Sequence, residues 1–199
     1  MSIKDYETRL YVKDNLSIGK SLVLKNDQSH YIRSVLRLKE NSQIALFNGE
    51  EGEWLSTIKI ISKKFVELEV IEQIKLQEMI SDIWLVFAPI KRTRIDYLAQ
   101  KATELGAGAL WPIFTKYTSV SRVNAERLRS NSIEAAEQSG RLTVPKILDP
   151  IDFDTLIEKW PHDRDLFCLD ETGRGAPILD AFRSSHQRAS GLLLSLIHI

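Results

Sequence analysis

The chain has 199 residues, of which 43% are apolar and 27% charged, enough to bury a core in one large or two small domains and too apolar for a disordered chain. Lys plus Arg number 27 and Asp plus Glu 27, so the formal net charge is zero, which excludes a uniformly polybasic binder while leaving room for a local basic face. The single Cys168 cannot form an internal disulfide, no apolar run approaches the roughly 18 residues of a membrane span, and Met1–Tyr6 has no signal-peptide core. A cytoplasmic protein is the expectation.

Charge is uneven along the chain. Residues 86–146 hold ten basic and five acidic side chains, a net +5 that the remainder balances. A basic middle is where an anionic partner would dock, although on charge alone solvated helices with outward Lys and Arg are the favoured account.

The first 73 residues read as strands around one helix. Arg9–Val12 and Ser21–Leu24 are short β-prone runs, and Gln43–Phe47 leads into Asn48-Gly49, a hairpin signal. Trp54–Ile60 returns, and Phe65–Val70 alternates apolar and acidic residues. A helix is predicted near Asp27–Leu36, capped by Asn26 or Asp27. Several short strands with one helix suggest a small barrel. From Asp82 the pattern becomes β–α alternation. Asp82–Pro89 reads as a strand buried on both faces, followed by helix 93–105 ended by Gly106, strand Ala109–Phe114 and helix Ala125–Ser139. Strand Lys146–Leu148, helix Phe153–Lys159, strand Asp165–Asp170, helix Pro177–Ser184 and strand Gly191–Leu194 complete a mainly parallel α/β sheet.

No dinucleotide fingerprint, P-loop, zincin motif or nucleophile elbow is present. His30, His162, His186 and His198 are too widely spaced for a local metal cluster, so no metal is expected. Cys168 falls mid-strand, where a buried, inert thiol is expected in preference to a nucleophile. Asp170–Gly173 falls at the carboxyl end of a parallel strand, where such sheets place ligands, and is also turn-prone. Lys91, Arg92 and Arg94 gather at a helix start, opposing its dipole unless a phosphate offsets them. Ser132, Ala135, Ala136 and Ser139 let a helix approach the sheet closely, with Arg141 just beyond its end.

Taken in order, Arg9–Val12, His30–Arg37, Leu46–Gly49, Gln100–Gly106, Ala135–Arg141 with Val144-Pro145, and Leu169–Glu171 resemble the RsmE family, the SPOUT-class methyltransferases of uracil N3 in small-subunit (16S) ribosomal RNA. The resemblance implies a PUA-like RNA-binding barrel over residues 1–73 and a SPOUT domain, an alpha/beta knot, over residues 79–199. It also implies S-adenosylmethionine as cosubstrate, a homodimer with active sites at the subunit interface, and a uridine in the decoding region as substrate. By resemblance, Arg9 and Arg141 are candidates to stabilise the uracil imide anion. Arg37, Lys91, Arg92, Arg94 and Lys101 are candidate phosphate contacts, and Leu169 and Glu171 candidate cofactor contacts. Glu104 and Glu137 suit a general base by type, and a surface carboxylate explains each as well.

The family continues with a glycine-rich G-P-E-G-G loop and an R-x-L-R-x-E-T segment that form the knot and most of the cofactor pocket. Here the sequence departs after Leu194, and Leu194–Ile199 reads like a translated sequencing-library end. The expectation is a fragment that ends before the knot, carries a non-native tail and binds S-adenosylmethionine poorly. The alternative is a non-catalytic RNA-binding or ribosome-assembly factor.

Overall fold

Two hydrophobic periods divide the chain, and the structure follows them. The computed structural model describes residues 6–79, 81–89, 92–116, 118, 120–169, 175–185 and 189–194. Two compact units result, Met1–Met79 and Ile80–Ile199.

The first unit contains β1 (Arg9–Tyr11), β2 (Ser21–Lys25), β3 (Gln43–Phe47), β4 (Glu53–Ile61) and β5 (Phe65–Lys75), ordered β1-β3-β4-β5-β2. Among the described residues of this unit, only β1 and β3 pair in parallel. Period-two alternation sends Leu22 and Leu24 of β2 and Val66, Leu68 and Val70 of β5 to one face. There they join Leu10, Ile32, Ile44, Leu46 and Ile58 in a single core. Three register shifts between β4 and β5 bend the pair, so the expected barrel is, among the described residues, a curled sheet with β1 and β2 at its edges.

Two local expectations differ. Asn48-Gly49 does not make a two-residue turn. Phe47 pairs with Glu53, and the Asn48 side-chain oxygen accepts from the backbone N–H of Glu50 and Glu51, both at 3.0 Å, shaping a longer loop. The helix at Asp27–Leu36 splits into α1 (Asn26–His30) and a π-helical turn (Tyr31–Val35), where Leu36 N–H reaches Tyr31 O at 2.9 Å. Neither Asn26 nor Asp27 caps it; the cap residue is Lys25, without a side-chain bond.

The second unit contains β6 (Ile83–Phe87), α2 (Arg92–Glu104), β7 (Ala109–Phe114), α3 (Ala125–Ser139), β8 (Lys146–Ile147), β9 (Ile151–Asp152), α4 (Phe153–Lys159), β10 (Arg164–Leu169), α5 (Ile178–Ser184) and β11 (Ala189–Leu194). Its sheet runs β10-β11-β6-β7-β8 with every pair parallel, and β9 extends the pairing along β7. Strand alternation explains both faces. Leu85, Phe87 and Leu110 pack with Ala99, Ala102 and Leu128 of α2 and α3. Val86, Trp111 and Ile113 pack on the other side with Leu156 of α4 and Trp160. Full burial of the β6 run holds only for its second half, since Ile83 is 46% exposed, and Cys168, expected buried, is exposed on β10 at the end of the strand order.

The start of α3 is fixed by Asn124, whose side chain accepts from Arg127 N–H at 3.0 Å. Asn124→Ala is expected to cost about 1 kcal/mol, measurable by urea unfolding, because it orphans a first-turn donor.

Candidate functional site

Parallel connectivity decides where each expected site residue can lie. Strand β6 passes through α2 and α3 to β7 and β8 on one side, whereas β10 and β11 lie on its other side. Consecutive connections therefore diverge at β6 and β11, and the carboxyl ends of these strands are where an open α/β sheet opens a ligand crevice. Phe87 and Leu194 are paired there, with Leu169 of β10 beside Leu194. Leu169 thus ends a strand at the crevice edge. Glu171 and Lys91 lie outside the described residues, as does the Arg92 side chain.

Helix α2 descends from this carboxyl edge to the amino edge. Arg94 is exposed in its first turn. Lys101 and Arg141 are at the far end, roughly 10 and 15 Å along the axis by helix rise. The cations expected together are therefore divided between two edges of one sheet. The physical cause is that residue spacing along a helix is axial distance, which a motif written in one dimension conceals.

The amino-edge group is closely knit. Helix α2 ends in a Schellman motif, with Gly106 N–H bonded to Thr103 O and Ala107 N–H to Ala102 O, both at 2.9 Å, and Gly106 at φ +85°. Arg141 Nε donates to Glu104 O at 2.9 Å, satisfying a last-turn carbonyl. Its guanidinium lies against Gly106, where a Cβ would come within 3.0 Å of Nη1. Lys101 Nζ donates to Glu104 Oε2 at 2.7 Å and sits 5.7 Å from the Tyr97 ring centre. The Glu104 carboxylate, bonded by Lys101, is held below the usual carboxylate range, and the Lys101 ammonium is raised for the same reason. Those directions describe a stable ion pair and oppose a general-base role for Glu104 near neutral pH.

Sequence reasoning missed a polar clasp higher on the same helices. Asp96 of α2 accepts from Arg127 Nε at 2.8 Å, Arg127 Nη2 at 2.5 Å and Asn131 Nδ2 at 2.7 Å. The carboxylate raises the Arg127 pKa, chiefly through the hydrogen bond. The clasp borders a cleft of about 700 Å³ beside Arg122 and the start of α3. Its partners are 31 and 35 residues apart in sequence, so no local pattern announces them.

Arg9 and Arg37 belong to the first unit. Arg37 is exposed in the left-handed region at φ 55°. Arg9 is buried, its Nε hydrogen-bonded to Glu53 Oε1, with Lys75 Nζ 3.0 Å from Glu53 Oε2 and the guanidinium 4.7 Å from the Phe47 ring centre. Glu53 is fully buried. A cation held this way organises the sheet interior. Among the described residues, no group of three or more His, Cys, Asp or Glu side chains is placed to hold a metal, and no helix is long and apolar enough to cross a membrane.

Comparisons with known proteins agree with this geometry. Residues 77–194 match the RNA methyltransferase domain, and residues 24–71 match the RNA methyltransferase PUA domain. The chain is similar to the ribosomal RNA small subunit methyltransferase E of Rickettsia conorii, 36% identical over 152 residues covering 76% of this chain and 62% of that protein. It is 28% identical to the protein of the same name from Synechocystis, covering 94% and 62%. It therefore spans about three-fifths of the length of these relatives. The crystal structure of a ribosomal RNA small subunit methyltransferase E from Neisseria gonorrhoeae bound to S-adenosyl methionine superposes with a TM-score of 0.85 at 26% identity, covering 96% of this chain and 79% of that one.

Proposed function

The chain belongs to the RNA methyltransferase domain family, with the PUA-like and SPOUT domains of its RsmE members, and we propose that it is the greater part of an S-adenosylmethionine-dependent 16S ribosomal RNA methyltransferase acting on N3 of a uridine in the decoding region. The observation that carries this reading is the ordered pair of domain matches over a parallel sheet whose connections diverge at β6 and β11. The carboxyl edge of that sheet suits the cosubstrate, because open parallel sheets take ligands beyond the carboxyl ends of diverging strands, and Leu169 ends β10 beside Leu194 there. S-adenosylmethionine supplies an electrophilic methyl group.

Uracil N3 must shed its proton before it attacks, and the electron pair of the broken carbon–sulfur bond leaves with the thioether. The chain's task is to hold the imide anion and the RNA backbone. Arg94 takes a phosphate at the carboxyl edge, Arg37 takes one on the PUA-like unit, and Lys91 and Arg92 are further phosphate contacts by family resemblance. Lys101 of α2 and Arg141 beyond the end of α3, about 10–15 Å below Arg94 along the α2 axis, meet RNA bound at the site of a second copy in this reading, which takes the homodimer from the family resemblance. Negative charge on the imide is stabilised there by Arg141, whose orientation Glu104 O fixes.

The test is nucleoside mass spectrometry of 16S ribosomal RNA from a strain lacking the gene. N3-methyluridine is expected to disappear and to return with the full-length gene; its persistence would defeat the substrate assignment. Residues 1–199 alone are expected to bind S-adenosylmethionine too weakly for titration calorimetry to detect, because a fifth of the cofactor-bound Neisseria chain has no counterpart among them. Tight binding would refute this.

A further inference from the structure

Two of the ten cations counted in the basic middle are paired with neighbouring carboxylates, Arg127 with Asp96 and Lys101 with Glu104. A second positive surface lies in the first unit, outside that stretch of sequence. A groove of about 590 Å³ is lined by Lys25, His30, Arg33, Lys63, Lys64 and Phe65, with Asn26 and Ser29 completing it and no acidic side chain among them. Two distant stretches meet there for a structural reason. Lys25 ends β2 directly opposite Phe65 at the start of β5, which brings it beside the hairpin that carries Lys63 and Lys64. Arg33 of the π-helical turn then clamps that hairpin, its Nη1 donating to Ser62 O at 3.2 Å and to Lys63 O. Carbonyl groups orient the guanidinium without cancelling its charge. Lys25, His30, Lys63 and Lys64 are exposed, and no carboxylate pairs with the three lysines among the described residues.

Clustered like charges oppose one another, and a concave surface concentrates their field. The ligand chemistry that offsets this is a chain of phosphodiesters. We propose that this groove grips the RNA backbone, holding at least two phosphates irrespective of base sequence, and that it anchors the substrate to the PUA-like unit. The inference rests on the RNA-methyltransferase reading above and adds a contact surface to it.

Fluorescence anisotropy of residues 1–199 with two labelled transcripts tests it: the small-subunit decoding region and a scrambled sequence of equal length. Removing two phosphate contacts with Lys63→Ala/Lys64→Ala is expected to lower affinity for both transcripts about tenfold or more at 0.1 M salt. The slope of log affinity against log salt should become shallower by about 1.5. A control pair on exposed or half-exposed positions outside the groove, Lys13→Ala/Lys20→Ala, is expected to change affinity less than about twofold. Unchanged affinity and slope in the Lys63/Lys64 variant, or an equal loss in the control, would overturn the groove and leave the enzymatic reading standing. Failure of the unaltered chain to bind either transcript would also overturn the groove, while the enzymatic reading stands or falls on the N3-methyluridine measurement above.

Discussion

Arg9→Ala is expected to destabilise the PUA-like unit by about 3 kcal/mol or more, because it strips a charge partner from the fully buried Glu53. Breaking one half of a buried ion pair costs about 3–5 kcal/mol, since the surviving charge remains desolvated. Lys75 Nζ, 3.0 Å from the other carboxylate oxygen and 47% exposed, retains part of the compensation and places the effect toward the lower end. Urea unfolding followed by Trp emission and circular dichroism would measure it. Arg9→Met combined with Glu53→Gln is expected to recover most of the loss, because a neutral amide is far cheaper to bury than an unpaired carboxylate. If Arg9→Ala cost less than about 1 kcal/mol, or if the double variant recovered nothing, the pair would not be organising this core. The same result separates structure from catalysis: Arg9→Met/Glu53→Gln in the full-length protein should retain methylation once the fold is restored.

The sequence period was informative wherever packing alone sets an element. The bounds of β3, β7, α3 and α4 follow the apolar pattern to the residue. Legibility ended where a tertiary partner decides. Nothing near Arg9 signals Glu53, 44 positions away. The π-helical turn inserts one residue per turn without altering which residues are apolar, so Tyr31–Val35 still reads as ordinary helix. Charge counting along the chain found residues 86–146 and passed over Lys25, Arg33, Lys63 and Lys64, because those cations converge through the Lys25–Phe65 register and not through proximity in sequence. The candidate site shows the same limit. Gln100–Gly106 and Ala135–Arg141 do meet, through Glu104 and Arg141, whereas Arg94 belongs to the opposite end of the same helix.

Gly106→Ala is expected to cost about 2–3 kcal/mol and to act through Arg141. Two penalties combine. An L-residue in the left-handed region pays about 1–2 kcal/mol, and Gly106 sits at φ +85°. The new Cβ would also lie 3.0–3.3 Å from the Arg141 guanidinium, forcing it to shift away from Glu104 O. Losing that charge-assisted bond adds about 1 kcal/mol and re-exposes a carbonyl at the end of α2. A double-mutant cycle resolves the two. An Arg141→Ala background removes the three atoms nearest the new Cβ, so the backbone penalty should dominate, and the coupling between the positions should be about 1 kcal/mol. Additive behaviour would mean that the guanidinium accommodates the methyl group without losing its carbonyl. Kinetics of the full-length enzyme supply a second readout, because a displaced Arg141 should lower kcat more than it raises KM, whereas a loss of phosphate binding alone would raise KM. Arg141→Lys keeps the charge but not the planar fork that reaches Glu104 O, so it should resemble Gly106→Ala in kcat and exceed it in stability.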